Sequence, residues 1–135
     1  MGQVLTATDP AIKRRVAIKI LRPDVASHRA YLAKFKNEFE LTGQLEHPNI
    51  VPVHETGQTD DGQIYFCMKF VQGKSLAELL EEHRKPAAQR GGAMDPTPFL
   101  KHLIRVCDAL AFAHSREIVH RDLKPANLMV GAFGD

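Results

Sequence analysis

Residues 120–127 read His120-Arg121-Asp122-Leu123-Lys124-Pro125-Ala126-Asn127, and the apolar runs Ile118-Val119 and Leu128-Met129-Val130 flank them. In this stretch an aspartate able to take a proton stands two residues before a lysine and five before an asparagine able to ligate a metal. Moving a phosphoryl group asks little covalent chemistry of a protein. It needs a carboxylate to orient or deprotonate the accepting hydroxyl, cations against the moving phosphate, and an oxygen ligand for Mg²⁺. Asp122, Lys124 and Asn127 provide one of each. The competing reading is a turn between two short strands whose polar side chains merely bond the backbone, and the rest of the chain weighs between the two.

The chain has 135 residues, 44% hydrophobic and 25% charged, which fits one soluble globular domain with a core of ordinary size. The formal charge is +2, and the basic residues are scattered among acids, which argues against nucleic acid as a partner. Cys67 and Cys107 lie far apart without metal-type spacing and read as reduced thiols of an intracellular protein. None of the seven histidines, His114 and His120 included, falls at a zinc-ligand spacing with a cysteine. No apolar run approaches membrane-spanning length, so no membrane contact is expected of this segment. Gly2 with Thr6 fits the loose N-myristoylation pattern, but Gly2 has a better explanation below.

Residues 4–8 and 15–21 are rich in Val, Ile, Leu and Thr and are separated by Asp9-Pro10, which predicts a hairpin. Lys19 sits in the apolar run Val16-Ala17-Ile18-Lys19, where a buried ammonium without a partner is costly. It asks for an anion, unless it snorkels from an edge strand. Residues 27–45 predict a helix, with Tyr31, Leu32, Phe35, Phe39, Leu41 and Leu45 interleaved with charges. Glu38 shares the side that carries Phe35, Tyr31 and Thr42, so it can face a strand lysine; the alternative is a solvated pair with Lys34. His47-Pro48 ends the helix, and His47 reads as a structural contact. Residues 51–58 and 63–70 predict a second hairpin through Thr59-Asp60-Asp61-Gly62. Gly73-Lys74-Ser75 predicts a turn and cap for a short helix to about His83, followed by an exposed linker over 84–98. Residues 99–114 predict a second long helix, with Leu100, Leu103, Ile104, Cys107, Leu110 and Ala111 at spacings of three and four. That stripe needs covering.

The run 120–127 resembles the catalytic loop of eukaryotic-type (bacterial-like) serine/threonine protein kinases, and the other motifs follow in that family's order. The resemblance implies an α+β, protein-kinase-like bilobal fold: residues 1–70 as the small lobe, and 71–135 as the hinge and beginning of the large lobe. It implies ATP and Mg²⁺ as cofactors and transfer to a Ser/Thr hydroxyl of a protein substrate in signalling. Asp122 is then the base or orienter, Lys124 steadies the γ-phosphate and Asn127 holds Mg²⁺. Lys19 meets the α- and β-phosphates and pairs with Glu38. Gly2 is the last glycine of the phosphate-covering loop, and Val4, Ala17 and Met129 flank adenine. Met68, Lys69, Phe70 and Val71 form the gatekeeper and hinge, although Met68 equally suits plain core. The helix over 99–114 is the scaffold under the loop, with Cys107 in the core.

The sequence departs from the family pattern at several places. Thr42 stands one turn after Glu38, where a bulky apolar residue is usual, and Lys69 where an acid is frequent. Phe133-Gly134-Asp135 carries the letters of the Asp-Phe-Gly metal motif in the wrong order, so Asp135 is expected to be a turn residue. By the resemblance the chain is truncated at both ends, lacking the first strand and most of the Gly-rich loop and ending before the Asp-x-Gly motif. The 135 residues alone are therefore expected to be inactive. Lys124-Pro125 after Asp122 is the serine/threonine form. A pseudokinase or nucleotide-binding scaffold is the alternative, and a small-molecule kinase, which generally lacks an arginine at the position of Arg121, comes behind it.

Overall fold

The computed structural model describes residues 2–21, 28–89 and 92–132. These fall into two compact units, one ending at Phe70 and the other starting at Val71. The segment 133–135 and the expected helix start at Ser27 lie outside the described residues.

Among the described residues the first unit is an antiparallel sheet with one helix. Strand β1 (Gly2–Asp9) pairs with β2 (Arg14–Leu21), and β4 (Ile64–Lys69) lies between β2 and β3 (Val53–Gln58). The turn joining β1 to β2 is held by Asp9 Oδ1, which accepts from the Ala11 N–H at 2.9 Å. Strand β3 starts at Val53, not at 51 as expected, because Pro52 has no N–H for a ladder; its carbonyl still accepts from Lys69 N–H at 3.0 Å. Gly62, at φ +84, makes the β3–β4 turn, a conformation that favours glycine.

Helix α1 (Arg29–Gly43) lays Phe35 on Phe66 of β4 with ring centroids 4.9 Å apart, and Phe39 lies 6.0 Å from the same ring. Leu21, Phe35 and Phe66 form the core, with Leu32, Phe39, Val53, Ile64 and Met68 packed around them. Burying such side chains contributes about 1.5–3 kcal/mol each, which is what holds the helix to the sheet. The helix stops two residues before the expected Leu45, which is nevertheless buried, its N–H donating to the Thr42 carbonyl at 3.1 Å.

In the second unit Gly73–Ser75 is a strand, β5, and not simply a turn; it pairs antiparallel with β6 (Met129–Gly131). Ser75 does cap helix α2 (Leu76–Gln89): its Oγ accepts from Glu78 N–H at 3.2 Å, and the Glu78 carboxylate accepts from Ser75 N–H at 2.7 Å. This reciprocal capping box ties the strand end to the first helical turn. Helix α2 runs past His83 through residues expected to be linker. The proline at 86 deletes one helical N–H, but the neighbouring Lys, Ala and Gln are good helix formers and carry the ladder to Gln89.

Helix α3 (Leu100–His114) follows a single 3₁₀ turn, Thr97–Phe99. Its stripe is not core. Leu100, Leu103 and Ile104 are at least half exposed, and Cys107 is exposed where burial was expected; the buried residues of this helix are the small Ala109 and Ala113. No helix among the described residues is long and apolar enough to cross a membrane.

Candidate active site

In the first unit the sheet register gathers residues singled out above. Directly opposed strand residues share a face. The pairs Val4↔Lys19, Lys19↔Phe66 and Ala17↔Met68 therefore put Val4, Ala17, Lys19, Phe66 and Met68 on one face. Lys69 falls on the other face and is exposed, so a lysine at that position does not intrude on this surface.

Lys19 Nζ lies 2.5 Å from Glu38 Oε1 and 5.3 Å from the centre of the Phe66 ring. The helix reaches this geometry because Phe35, one turn before Glu38, is locked against Phe66 and sets the phase of the turn that follows. Lys34, the alternative partner for Glu38, is exposed. Met68 packs on the core as well as standing beside Ala17 in register. Val4 is 59% exposed. His47 is structural, its Nδ1 accepting from Asn49 N–H at 3.1 Å.

In the second unit, α3 ends in a left-handed residue that is not glycine. Glu117 has φ 62, and the N–H groups of Ile118 and Glu117 return to the carbonyls of Ala113 and His114 at 3.0 and 2.9 Å. That pair of bonds is the Schellman arrangement, and it turns the chain into the loop. A second left-handed residue, Arg121 at φ 64, is bridged by Asp122 N–H donating to the His120 carbonyl at 2.9 Å. Such three-residue turns are rare, and a non-glycine residue held in them costs on the order of 1–3 kcal/mol. The strain sits immediately before Asp122 and aims its side chain.

Around that carboxylate, Lys124 Nζ stands 3.1 Å from Oδ2, and Asn127 Nδ2 donates to Oδ2 at 3.1 Å and to the Asp122 carbonyl at 2.8 Å. Among the described residues no hydrogen bond reaches Oδ1 of Asp122. The hydrogen bond from Lys124, then that from Asn127, holds the carboxyl below its ordinary 3.8. Asp122 is thus an ionised acceptor at neutral pH with one oxygen tied and one open. Asn127 sits on a 3₁₀ turn, Pro125–Asn127, that leads into β6.

Asn127's amide N–H groups serve Asp122, and among the described residues its carbonyl oxygen meets no donor. An amide oxygen beside a carboxylate is a hard donor set that suits Mg²⁺, a cation usually held by one or two protein oxygens with substrate phosphates and water. No cluster of three or more His, Cys, Asp or Glu suited to a metal occurs among the described residues.

Sequence reasoning assigned Asn127 to metal without seeing that it orients Asp122. It also missed the β5–β6 pairing and the backbone conformation of Arg121. An asparagine five residues after an aspartate, across a proline, was the available signal for the first.

A sheet-plus-helix unit presenting an ion-paired strand lysine, followed by a helical unit presenting an aspartate loop, places the chain in the kinase-like α+β class. The family description "Protein kinase domain" matches residues 1–134. The chain is 40% identical over 137 residues to the probable serine/threonine-protein kinase PknB of Corynebacterium glutamicum, covering 99% of this chain and 20% of that protein. It is 35% identical over 135 residues to the serine/threonine-protein kinase PrkC of Bacillus subtilis, covering 100% of this chain and 19% of that protein. Among solved structures it resembles the Mycobacterium tuberculosis PknI kinase domain, with TM-score 0.75, 30% identity, and coverage of 98% of this chain and 51% of that one. The chain belongs to the protein kinase domain family. It spans a fifth or less of the length of the two curated relatives named and about half of the solved kinase domain.

Proposed function

We propose that this chain serves ATP-dependent phosphoryl transfer to a serine or threonine hydroxyl of a protein, with 1–70 acting as the small lobe and 71–135 as the hinge and start of the large lobe. The observation that carries the reading is the Asp122–Lys124–Asn127 cluster, in which a carboxylate is kept ionised with one oxygen open. The relatives named above, both serine/threonine-protein kinases, support it.

In this reading the open Oδ1 of Asp122 accepts a hydrogen bond from the substrate hydroxyl and takes its proton as the oxygen bonds to phosphorus and the bond to ADP breaks. A carboxylate held below 3.8 is a weak base toward a ground-state alcohol, so its first task is orientation; the proton moves once the hydroxyl has been acidified by bonding to phosphorus. Lys124 sits beside the carboxylate, where its ammonium faces negative charge building on the transferred group. Lys19, steadied by Glu38, meets the α- and β-phosphates. Bound through the Asn127 oxygen, Mg²⁺ would neutralise phosphate charge. Gly2 is assigned to the phosphate-covering loop. Val4, Ala17 and Met129, with Met68 and the backbone of Lys69, Phe70 and Val71, are assigned to adenine. Use of ATP argues for a cytoplasmic site of action.

The test is Asp122→Asn in the intact protein, with radiolabelled ATP and a serine-containing acceptor. Transfer should fall by about 10²–10⁴-fold, the usual worth of a positioned base, while nucleotide affinity changes little. Equal transfer by the variant and the unsubstituted protein would remove the assigned role.

A further inference from the structure

Gly73 lies far in sequence from the aspartate loop, yet the structure allows nothing larger there. A Cβ built on it would stand 1.9 Å from the Val130 carbonyl oxygen, 2.8 Å from the Val130 carbonyl carbon and 2.9 Å from Gly131 Cα. All three are backbone atoms of β6, so no side chain can swing aside to make room. β5 and β6 would have to part by about 1 Å to admit a methyl group. The demand is for space, and it falls on a short, fully stitched contact. Gly73 pairs with Gly131, Lys74 with Val130 and Ser75 with Met129. Leu76 N–H donates to the Leu128 carbonyl and Ala132 N–H to the Gln72 carbonyl, both at 2.7 Å. Residues 128–132 are thereby held along their length by residues 72–76.

What this contact holds is the exit of the candidate site. Asn127 immediately precedes the stitched segment, and its side-chain amide makes two bonds to Asp122. We propose that Gly73 is a positioning residue for phosphoryl transfer: its missing side chain lets β5 lie against the Val130 carbonyl, and that close approach seats Asn127 and, through it, the Asp122 carboxylate. The inference rests on the phosphoryl-transfer reading of the loop and adds to it a residue on another strand. Displacing β6 carries Asn127 with it, because only Leu128 separates Asn127 from the strand.

The experiment compares Gly73→Ala with Gly43→Ala in the intact protein; a Cβ at Gly43 meets nothing within 4 Å. Thermal melting first establishes that each is folded. For folded Gly73→Ala, kcat at saturating ATP should fall by about 10²-fold, the cost typical of a 1 Å misplacement of reacting groups. The Mg²⁺ concentration for half-maximal rate should rise. Without nucleotide or metal, the Asn127 side-chain amide resonance, assigned by its loss in Asn127→Ala, should shift in Gly73→Ala and stay in place in Gly43→Ala. A lowered melting temperature with kcat per folded molecule and the Asn127 resonance both unchanged would overturn the proposal.

If Gly73→Ala does not fold, lactic acid in place of Ala132 removes one N–H of the same contact without adding bulk. It should shift the Asn127 resonance and lower kcat in the same direction, and no change in either would overturn the proposal. Asp122→Asn, run in parallel, separates the two levels of inference. Loss of transfer in Asp122→Asn beside unaltered Gly73→Ala refutes only the role of Gly73. Full activity in Asp122→Asn refutes the reading of the loop.

Discussion

Replacing Glu38 by glutamine keeps the shape of the side chain and removes its charge from the 2.5 Å contact with Lys19 Nζ. The cost to stability is small. Glu38 is 42% exposed and Lys19 is 23% exposed at the side chain, so water screens the pair, and exposed ion pairs are worth about 0.2–1 kcal/mol. For a unit of this size that is a melting shift of at most about 4–8 °C. The cost to activity should be much larger. Once the ammonium is no longer drawn to Glu38, only its 5.3 Å contact with the face of the Phe66 ring still holds it; in the phosphoryl-transfer reading proposed above it can then leave the phosphates, and misplacement on the 1 Å scale costs about 10²-fold. A 10²-fold loss corresponds to about 2.7 kcal/mol of transition-state stabilisation, more than the pair contributes to folding. Activity and melting should therefore separate. The assay is kcat/KM for ATP beside thermal unfolding, for Glu38→Gln, Lys19→Met and the double variant in the intact protein. Residues acting as one unit make the double variant little worse than either single one. Glu38→Gln with unaltered kcat/KM, or a loss that merely follows the unfolded fraction, would refute the reasoning.

Two further expectations follow from the same geometry. The Asp122 carboxyl lies below 3.8 chiefly because of Lys124, so whatever the ionised group contributes is in place above 3.8 and is lost as pH falls through its lower folded value. Lys124→Met should move the Asp122 carboxyl titration, followed by NMR, upward toward 3.8, and an unmoved titration would show that Lys124 is not its main partner. Cys67 is buried in β4 with its thiol pushed above 9.0 chiefly by burial, whereas Cys107 is exposed. A maleimide at neutral pH should label Cys107 in the native protein and Cys67 only on unfolding, as peptide mapping would report; equal labelling would contradict the burial of β4.

Much of the protein is written in local pattern. Alternating Val and Ile around Lys19, the Asp-Gly turn before β4 and the apolar spacing of Phe35 and Phe39 each depend on neighbours within a few residues, and each produced the expected element. The meeting of the loop's polar side chains is local for the same reason, since Asp122, Lys124 and Asn127 lie within six residues of one another. Tertiary structure decided what local pattern leaves degenerate. Glu38 had two lysines within reach of its helix face, and the packing of Phe35 against Phe66 chose Lys19. Cys107 shared the periodicity of a core stripe, but periodicity marks a face and not its cover, and that face is open. Gly73-Lys74-Ser75 read as a turn because nothing near it in sequence could pair with it. It became a strand when Val130 and its neighbours arrived from the far end of the chain, a contact whose closure entropy is repaid only in the folded unit and which therefore leaves no local trace.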